Sequence, residues 1–126
     1  KAKEVLNKAL EIDPSNRRAL NNLGLILANE GREEEALKLF MRARTPTALY
    51  NAAHIHYKRG ELEQAEKLLR EAIENGAGLD AMFNLALTLF RLGKREEALK
   101  WIENYLRESP EDKSAEKLKT LILKTT

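Results

Sequence analysis

Apolar residues recur every three or four positions along the chain, and no stretch alternates strictly between apolar and polar residues. Leu20, Leu23 and Leu27, for example, fall on one face of a helix. Because an α-helix has 3.6 residues per turn, this period predicts amphipathic helices, whereas a half-buried strand requires a period of two. The pattern is interrupted by a few helix-breaking residues: Pro14, Gly31, Pro46, Gly60, Gly93 and Pro110. The sequence therefore predicts an all-α protein.

Comparison of the chain with itself shows three copies of one helix–turn–helix unit. The aligned segments begin at Leu20, Leu49 and Met82, which are 29 and 33 residues apart. In each copy a glycine is predicted to end the first helix, where a left-handed conformation is favourable. Small residues on both helices would allow a close crossing, flanked by large residues that fill the grooves. These small residues are Gly24, Ala53 and Ala86 on the first helices and Ala36, Ala65 and Ala98 on the second.

The pattern resembles that of the tetratricopeptide repeat family, W-x2-L-G-x2-Y…A-x3-F…P with a 34-residue period. The prolines of this pattern are kept as Pro14 and Pro110. The tryptophan position holds Leu20, Leu49 and Met82, and the tyrosine position holds Leu27, His56 and Leu89. Three copies in phase extend the resemblance over nearly the whole chain. It implies an all-α, right-handed α-solenoid of antiparallel helix pairs.

We interpret residues 1–126 as a single repeat domain of seven to eight helices. The predicted units are an orphan second helix of a truncated repeat (1–14), a shortened repeat (15–45), two further repeats (46–78 and 79–112) and a C-terminal cap helix (113–126). Because the chain begins in the middle of a repeat, we expect it to be a piece of a longer protein.

The connection from the first full repeat to the second is unusually short. Only six residues separate Ala43 from Leu49, against ten or eleven at the corresponding places, so about five residues are deleted. We expect the second helix to end near Arg44, with Thr45 capping the next helix and Pro46 in its first turn. This predicts a local departure from the regular superhelix at residues 42–47. It represents either harmless drift in a repeat or a notch shaped for a partner.

Composition and charge exclude several classes of function. The 22 Lys and Arg residues are interleaved with 20 Asp and Glu, giving a net charge of +2, so we expect no nucleic-acid or membrane partner. The chain has no Cys, which excludes disulfides and thiolate metal sites. No apolar run approaches the 18 residues of a membrane span and no signal-peptide pattern is present, so we expect a cytoplasmic protein.

No combination of residues predicts catalysis or metal binding. His54 and His56 are two positions apart on a helix and point in different directions, so they cannot form a shared metal site. The serines lie at or next to predicted helix starts, where capping explains them: Ser15, Ser109 and Ser114. We therefore expect no enzyme activity, no cofactor and no metal.

The resemblance implies that the first helices line a concave groove that holds a protein or peptide ligand. The residues predicted for this groove are apolar, aromatic or amide-bearing: Asn22, Tyr50, Asn51, His54, Tyr57, Phe83, Asn84, Leu87 and Phe90. Aromatic side chains and amides in one groove suit peptide recognition. The alternative is that the aromatic rings pack against the neighbouring repeat.

The resemblance also allows narrower functions to be compared. Members that clamp the C-terminal carboxylates of chaperones use Lys and Asn on one first helix, Asn on the next, and Lys and Arg on the third. The matching positions here are Asn21 and Leu25, then Asn51, then Asp80 and Asn84. Only one position fits, so we do not expect a carboxylate clamp.

Two other functions remain open. One is an architectural segment of a larger protein that forms a homo-oligomer through the edge of its N-terminal helix, where Val5, Leu6, Ala9 and Leu10 lie. The other is an engineered repeat scaffold. The uneven spacings and unrepeated residues such as Trp101 argue against a consensus design.

Overall fold

The computed structural model describes residues 1–124, which form eight α-helices and no strand. The helices are α1 (Ala2–Ile12), α2 (Arg17–Asn29), α3 (Glu33–Ala43), α4 (Pro46–Lys58), α5 (Leu62–Glu74), α6 (Leu79–Arg91), α7 (Arg95–Glu108) and α8 (Lys113–Lys124). The all-α prediction is confirmed. Residues 125–126 of the predicted cap lie outside the described residues.

The helices stack in chain order as an α-solenoid. Each packs most extensively on its neighbours in sequence, with the strongest pairing of α2 with α3, α4 with α5 and α6 with α7. Side chains from α2 to α8 share one continuous apolar core. Because every helix contacts mainly its neighbours, the fold is stabilised by a series of local interfaces.

Three glycines end the first helices, as predicted. Gly31, Gly60 and Gly93 have φ angles of 84°, 80° and 83°, in the left-handed region that glycine adopts without steric cost. After the first of them, the backbone N–H of Arg32 donates to the carbonyl of Leu27 over 2.9 Å. This bond satisfies a carbonyl at the helix end and turns the chain into the second helix.

The prediction that serines cap the helices is wrong. Asn16 caps α2, accepting a hydrogen bond from the backbone N–H of Ala19 over 3.0 Å. Ser15 instead donates its hydroxyl to Asp13 over 2.8 Å, and Ser109 follows the end of α7. At α8 the cap is Asp112, not Ser114. Asn and Asp accept such bonds as well as Ser does, so spacing alone did not distinguish them.

The short connection between α3 and α4 has the predicted cap. The α3 helix ends at Ala43, and the hydroxyl oxygen of Thr45 accepts from the backbone N–H of Ala48 over 3.1 Å. Arg44 lies between them with a φ of 47°, the one left-handed residue other than glycine in the part of the chain that is described. Its guanidinium forms an ion pair with Glu71. The predicted change in the superhelix at residues 42–47 stays a prediction.

The helices α2 and α3 cross closely at Gly24. A Cβ atom added to Gly24 would lie 2.6 Å from a ring carbon of Phe40. The corresponding crossings combine Ala53 with Leu69 and Ala86 with a smaller side chain, Ile102. The largest of these second-helix side chains, Phe40, therefore lies opposite the smallest first-helix residue, Gly24.

We expect Gly24→Ala to destabilise the protein by about 1–3 kcal/mol through overpacking, despite the better helix propensity of Ala. Phe40→Leu should relieve the clash, because it reproduces the pair found at Ala53 and Leu69. Urea unfolding of both single variants and the double variant should show a favourable coupling of at least about 1 kcal/mol. Leu69→Phe is the reciprocal substitution. It should destabilise the protein, because it places a phenyl ring against Ala53, where the structure has a leucine. Additive effects would contradict this account.

Asp112 links α8 to α7 through an acid-sensitive contact. The hydroxyl of Tyr105 donates to Asp112 over 2.5 Å, and the backbone N–H groups of Ser114 and Ala115 donate to its other oxygen. These bonds favour the ionised carboxylate, so they lower its pKa below the ordinary 3.8.

A lowered folded-state pKa contributes stability that is present above the unfolded-state value, near pH 4, and is lost as the pH falls through the folded-state value. We expect Asp112→Asn to be less stable than the unmodified protein at pH 6, with the difference shrinking towards pH 2.5. Thermal unfolding at the two pH values measures this, and Glu111→Gln, at the exposed neighbouring position, is the control. A difference that does not change with pH would contradict the assignment.

Candidate functional site

The first helices α2, α4 and α6 lie side by side and form the face where the predicted groove residues are found. We call this surface the inner face. Asn22 and His54 are exposed on it. The other predicted residues are half-buried: Tyr50, Asn51, Tyr57, Phe83, Asn84, Leu87 and Phe90. The predicted residues therefore lie on three neighbouring first helices, and their use as one binding groove stays a prediction.

A ladder of amide hydrogen bonds joins the first helices. The Nδ2 of Asn51 donates to Oδ1 of Asn21 over 3.0 Å, and the Nδ2 of Asn84 donates to the Tyr50 hydroxyl over 3.0 Å. Asn84 also donates to the backbone carbonyl of Asp80 over 2.8 Å. Asn22 occupies the corresponding position on α2 and is exposed. Two of the three predicted amides thus orient neighbouring helices in addition to facing the groove.

The tyrosines of α4 form a closed seam with α6. The gap enclosed by Tyr50, Tyr57 and Thr88 measures only about 10 Å³. The guanidinium of Arg91 lies 4.9 Å from the centre of the Tyr57 ring, within cation–π range. One edge of each tyrosine is therefore packed, while the remainder forms part of the inner face.

The Phe83 side chain packs against α7. Its ring meets Tyr105 edge to face, with centroids 5.3 Å apart and planes at 66°. The positions corresponding to Tyr105 in the two earlier repeats hold Ala43 and Ala72. This contact lies within the repeat 79–112, so it differs from the alternative that the aromatic rings pack against the neighbouring repeat.

A row of less enclosed apolar side chains crosses the same face. Leu25 is 39% exposed, His54 is exposed and Leu87 is half-buried at corresponding positions of α2, α4 and α6. Leu121 of α8 continues the row with 53% of its surface exposed. The sequence analysis considered Leu25 as a clamp position but did not count it among the predicted groove residues, and it did not assign Leu121 to this row. Successive residues of the row are nevertheless 29, 33 and 34 positions apart, which matches the repeat.

A cleft of about 440 Å³ opens at one end of the inner face. Tyr50 and Asn51 form one wall, and Asp80 stands on the other side at the start of α6. The loop between α5 and α6 contributes only small residues to the lining of this cleft, namely Gly76, Ala77 and Gly78. Burial raises the pKa of Tyr50, and the nearby carboxylate of Asp80 raises it further. Tyr50 therefore stays protonated and acts here as a neutral hydrogen-bonding group.

The two histidines lie in different environments. The His56 ring is partly enclosed, with Nδ1 2.7 Å from Oε1 of Glu61, whereas His54 faces the groove. Among residues 1–124 no group of three His, Asp or Glu side chains is placed to hold a metal ion.

Comparison with known proteins identifies the fold family. A sequence profile of the tetratricopeptide repeat matches residues 50–113, just over half of the chain, and a second profile of the same description matches residues 5–38. The chain belongs to the tetratricopeptide repeat (TPR) family. This family generally serves as a non-catalytic protein-interaction module. No curated protein sequence matches the chain.

Solved structures share this TPR fold. YrrB, described as a TPR protein with an unusual peptide-binding site, superposes with a TM-score of 0.88 at 20% identity, over 96% of this chain and 66% of YrrB. MamA gives a TM-score of 0.84 at 21% identity, over 97% of this chain and 75% of MamA. The first TPR of Spaghetti (RPAP3), bound to the HSP90 peptide SRMEEVD, gives 0.77 at 21% identity, over 86% of this chain and 93% of that one.

No helix within residues 1–124 is both long enough and apolar enough to cross a membrane.

The amide ladder generates a stability prediction. We expect Asn84→Ala to destabilise the TPR domain by about 0.5–1.5 kcal/mol, because it removes a half-buried hydrogen bond to Tyr50. Asn22→Ala is the matched control at the same repeat position and should change stability by less than about 0.5 kcal/mol, because Asn22 is exposed. Urea unfolding measures both. If the two substitutions change the free energy of unfolding equally, the hydrogen bond from Asn84 to Tyr50 does not stabilise the domain.

Proposed function

We propose that this TPR domain is a non-catalytic scaffold or adaptor module that binds a segment of a partner protein on its inner face. The observation that carries the proposal is that Leu25 and His54 are exposed and Leu87 is half-buried at corresponding positions of the three first helices. An apolar row flanked by fixed polar groups is typical of a recognition surface.

The contacts around the row support a preorganised surface. The hydrogen bonds of Asn51 and Asn84 and the stacking of Arg91 on Tyr57 fix the spacing of the three first helices. A ligand that binds a prearranged surface spends little free energy on ordering the receptor. The site residues we propose are Asn22, Tyr50, Asn51, His54, Tyr57, Phe83, Asn84, Leu87 and Phe90.

The charges on the inner face argue against binding in the manner of a carboxylate clamp. Asp80 lies where a clamp has a lysine, and its carboxylate borders the cleft next to Tyr50. A negative charge there disfavours a peptide carboxylate by repulsion. The peptide named for the RPAP3 structure is therefore not the ligand class that we propose for this chain.

The test is selection from a displayed peptide library, with exposed residues altered so that folding is preserved. We expect enriched peptides to lose at least tenfold in affinity for a Leu25→Glu, His54→Glu variant, because two carboxylates interrupt the apolar row. A Gln64→Glu, Lys67→Glu variant is the control, since both positions are exposed on α5, a second helix. Circular dichroism checks that each variant folds. Peptides that bind all three proteins equally would contradict an inner-face site.

A second candidate, self-association through α1, is favoured by one observation. No residue of α1 is buried, and Val5 is 68% exposed. Leu6 is half-buried, whereas the corresponding Phe40 and Leu69 of later repeats are buried. A molar mass of one chain by light scattering at high concentration would exclude this candidate.

A further inference from the structure

A second cleft, of about 480 Å³, lies between α1 and α3 on the opposite side of the solenoid from the inner face. Its volume falls within the range of about 300–1,000 Å³ that is common for ligand sites. The cleft is lined by Lys3, Asn7, Leu23, Leu27, Arg32, Glu35, Lys38, Leu39 and Arg42.

The corresponding groove between α5 and α7 is bridged by paired side chains. Lys94 forms an ion pair with Glu66 over 2.9 Å, and Arg70 reaches Glu97 over 2.5 Å. These two bridges span the space between the second helices and close the groove.

The groove between α3 and α5 is occupied in a different way. Leu37 and Met41 stand on α3 at the positions that Glu66 and Arg70 hold on α5. Both are half-buried and pack against the core. Apolar side chains thus hold the positions from which ion pairs cross the next groove.

The α1 helix supplies neither ion pairs across the groove nor apolar side chains at these positions. Lys3 and Asn7 hold the same two positions, 34 residues before Leu37 and Met41. Asn7 is too short to span the groove, and the ammonium of Lys3 pairs with Glu30 over 3.1 Å. The space between α1 and α3 therefore stays open, although Leu23 and Leu27 beneath it are themselves buried, each with 7% of its surface exposed.

The cleft combines an apolar floor with a positively charged rim. Leu23 and Leu27 form the floor. At the rim, Lys38 and Arg42 form no ion pair with any residue in 1–124, and one guanidinium nitrogen of Arg42 donates to the carbonyl of Pro14 over 2.8 Å. The cleft's carboxylate, Glu35, is already paired with Arg32 over 2.7 Å.

We infer that the cleft between α1 and α3 is a second protein-binding site, whose occupant is an acidic segment of a partner. The segment inserts a large apolar side chain over Leu23 and Leu27 and places a neighbouring Asp or Glu at Lys38 or Arg42. Charge complementarity selects this occupant over a basic or purely apolar one. The site does not depend on the proposed function of the inner face.

The test uses a displayed library of twelve-residue peptides selected on the whole chain. Asn7→Met should fill the cleft as Met41 fills the next groove, and Asn7→Ala is the matched control that leaves it open. Lys38→Glu removes a rim cation, and Lys67→Glu makes the same change at the corresponding position of α5. Ala and Met are both better helix formers than Asn, so neither substitution weakens α1 through helix propensity.

We expect a class of enriched peptides that carry an apolar residue next to Asp or Glu. Their affinity should fall at least tenfold with Asn7→Met and with Lys38→Glu, and should stay within twofold with Asn7→Ala and with Lys67→Glu. The Leu25→Glu, His54→Glu variant should still bind them, which separates this site from the inner face. The inference is wrong if no enriched peptide distinguishes Asn7→Met from Asn7→Ala, or if Lys67→Glu weakens binding as much as Lys38→Glu.

Discussion

The close crossing of the two helices within each pair is the contact on which the rest of the structure depends. At each crossing a small residue on the first helix, such as Gly24, lies against a large residue on the second, such as Phe40. Van der Waals packing of this kind rewards an exact match of volumes, because a protein interior has few voids. The match fixes the separation of the helices, and this separation determines which side chains can reach the next pair.

Polar contacts then set how one pair lies against the next. Asn51, Asn84 and Arg91 each join two first helices, and the pairs of Glu66 with Lys94 and of Arg70 with Glu97 join two second helices. The pair of Arg70 with Glu97 is partly exposed, whereas Glu66 has only 12% of its side chain exposed in its pair with Lys94. Their main consequence is geometric, since they determine whether the surface between two helices is closed or open.

The fold was predictable from the sequence because three copies of the same spacing reinforce one another. The glycine turns and the cap at Thr45 were predicted and observed. Small residues were predicted on both helices at each crossing, but Gly24 lies against the large ring of Phe40. The groove residues were assigned to the first helices, but spacing could not show that Asn84 bonds Tyr50 or that Tyr105 supports Phe83. Such contacts join residues of different elements, and their geometry depends on helix separations that a linear pattern does not contain. Leu25 was recognised as a clamp position but was not counted among the groove residues, because the aromatic side chains lie on the second and third of the first helices.

Both surfaces with accessible apolar residues arise from departures from an averaged repeat. On the inner face, Leu25 and His54 are exposed, whereas Tyr50 and Tyr57 of α4 pack against α6. On the opposite side, a groove is open because Asn7 stands where Met41 or Arg70 closes the later grooves. A consensus repeat would fill every groove in the same way and would present the same surface at each step. In a solenoid, where each unit contacts only its neighbours, one such substitution changes one groove and leaves the others intact. The differences between aligned repeats are therefore more informative about binding than the residues that the repeats share.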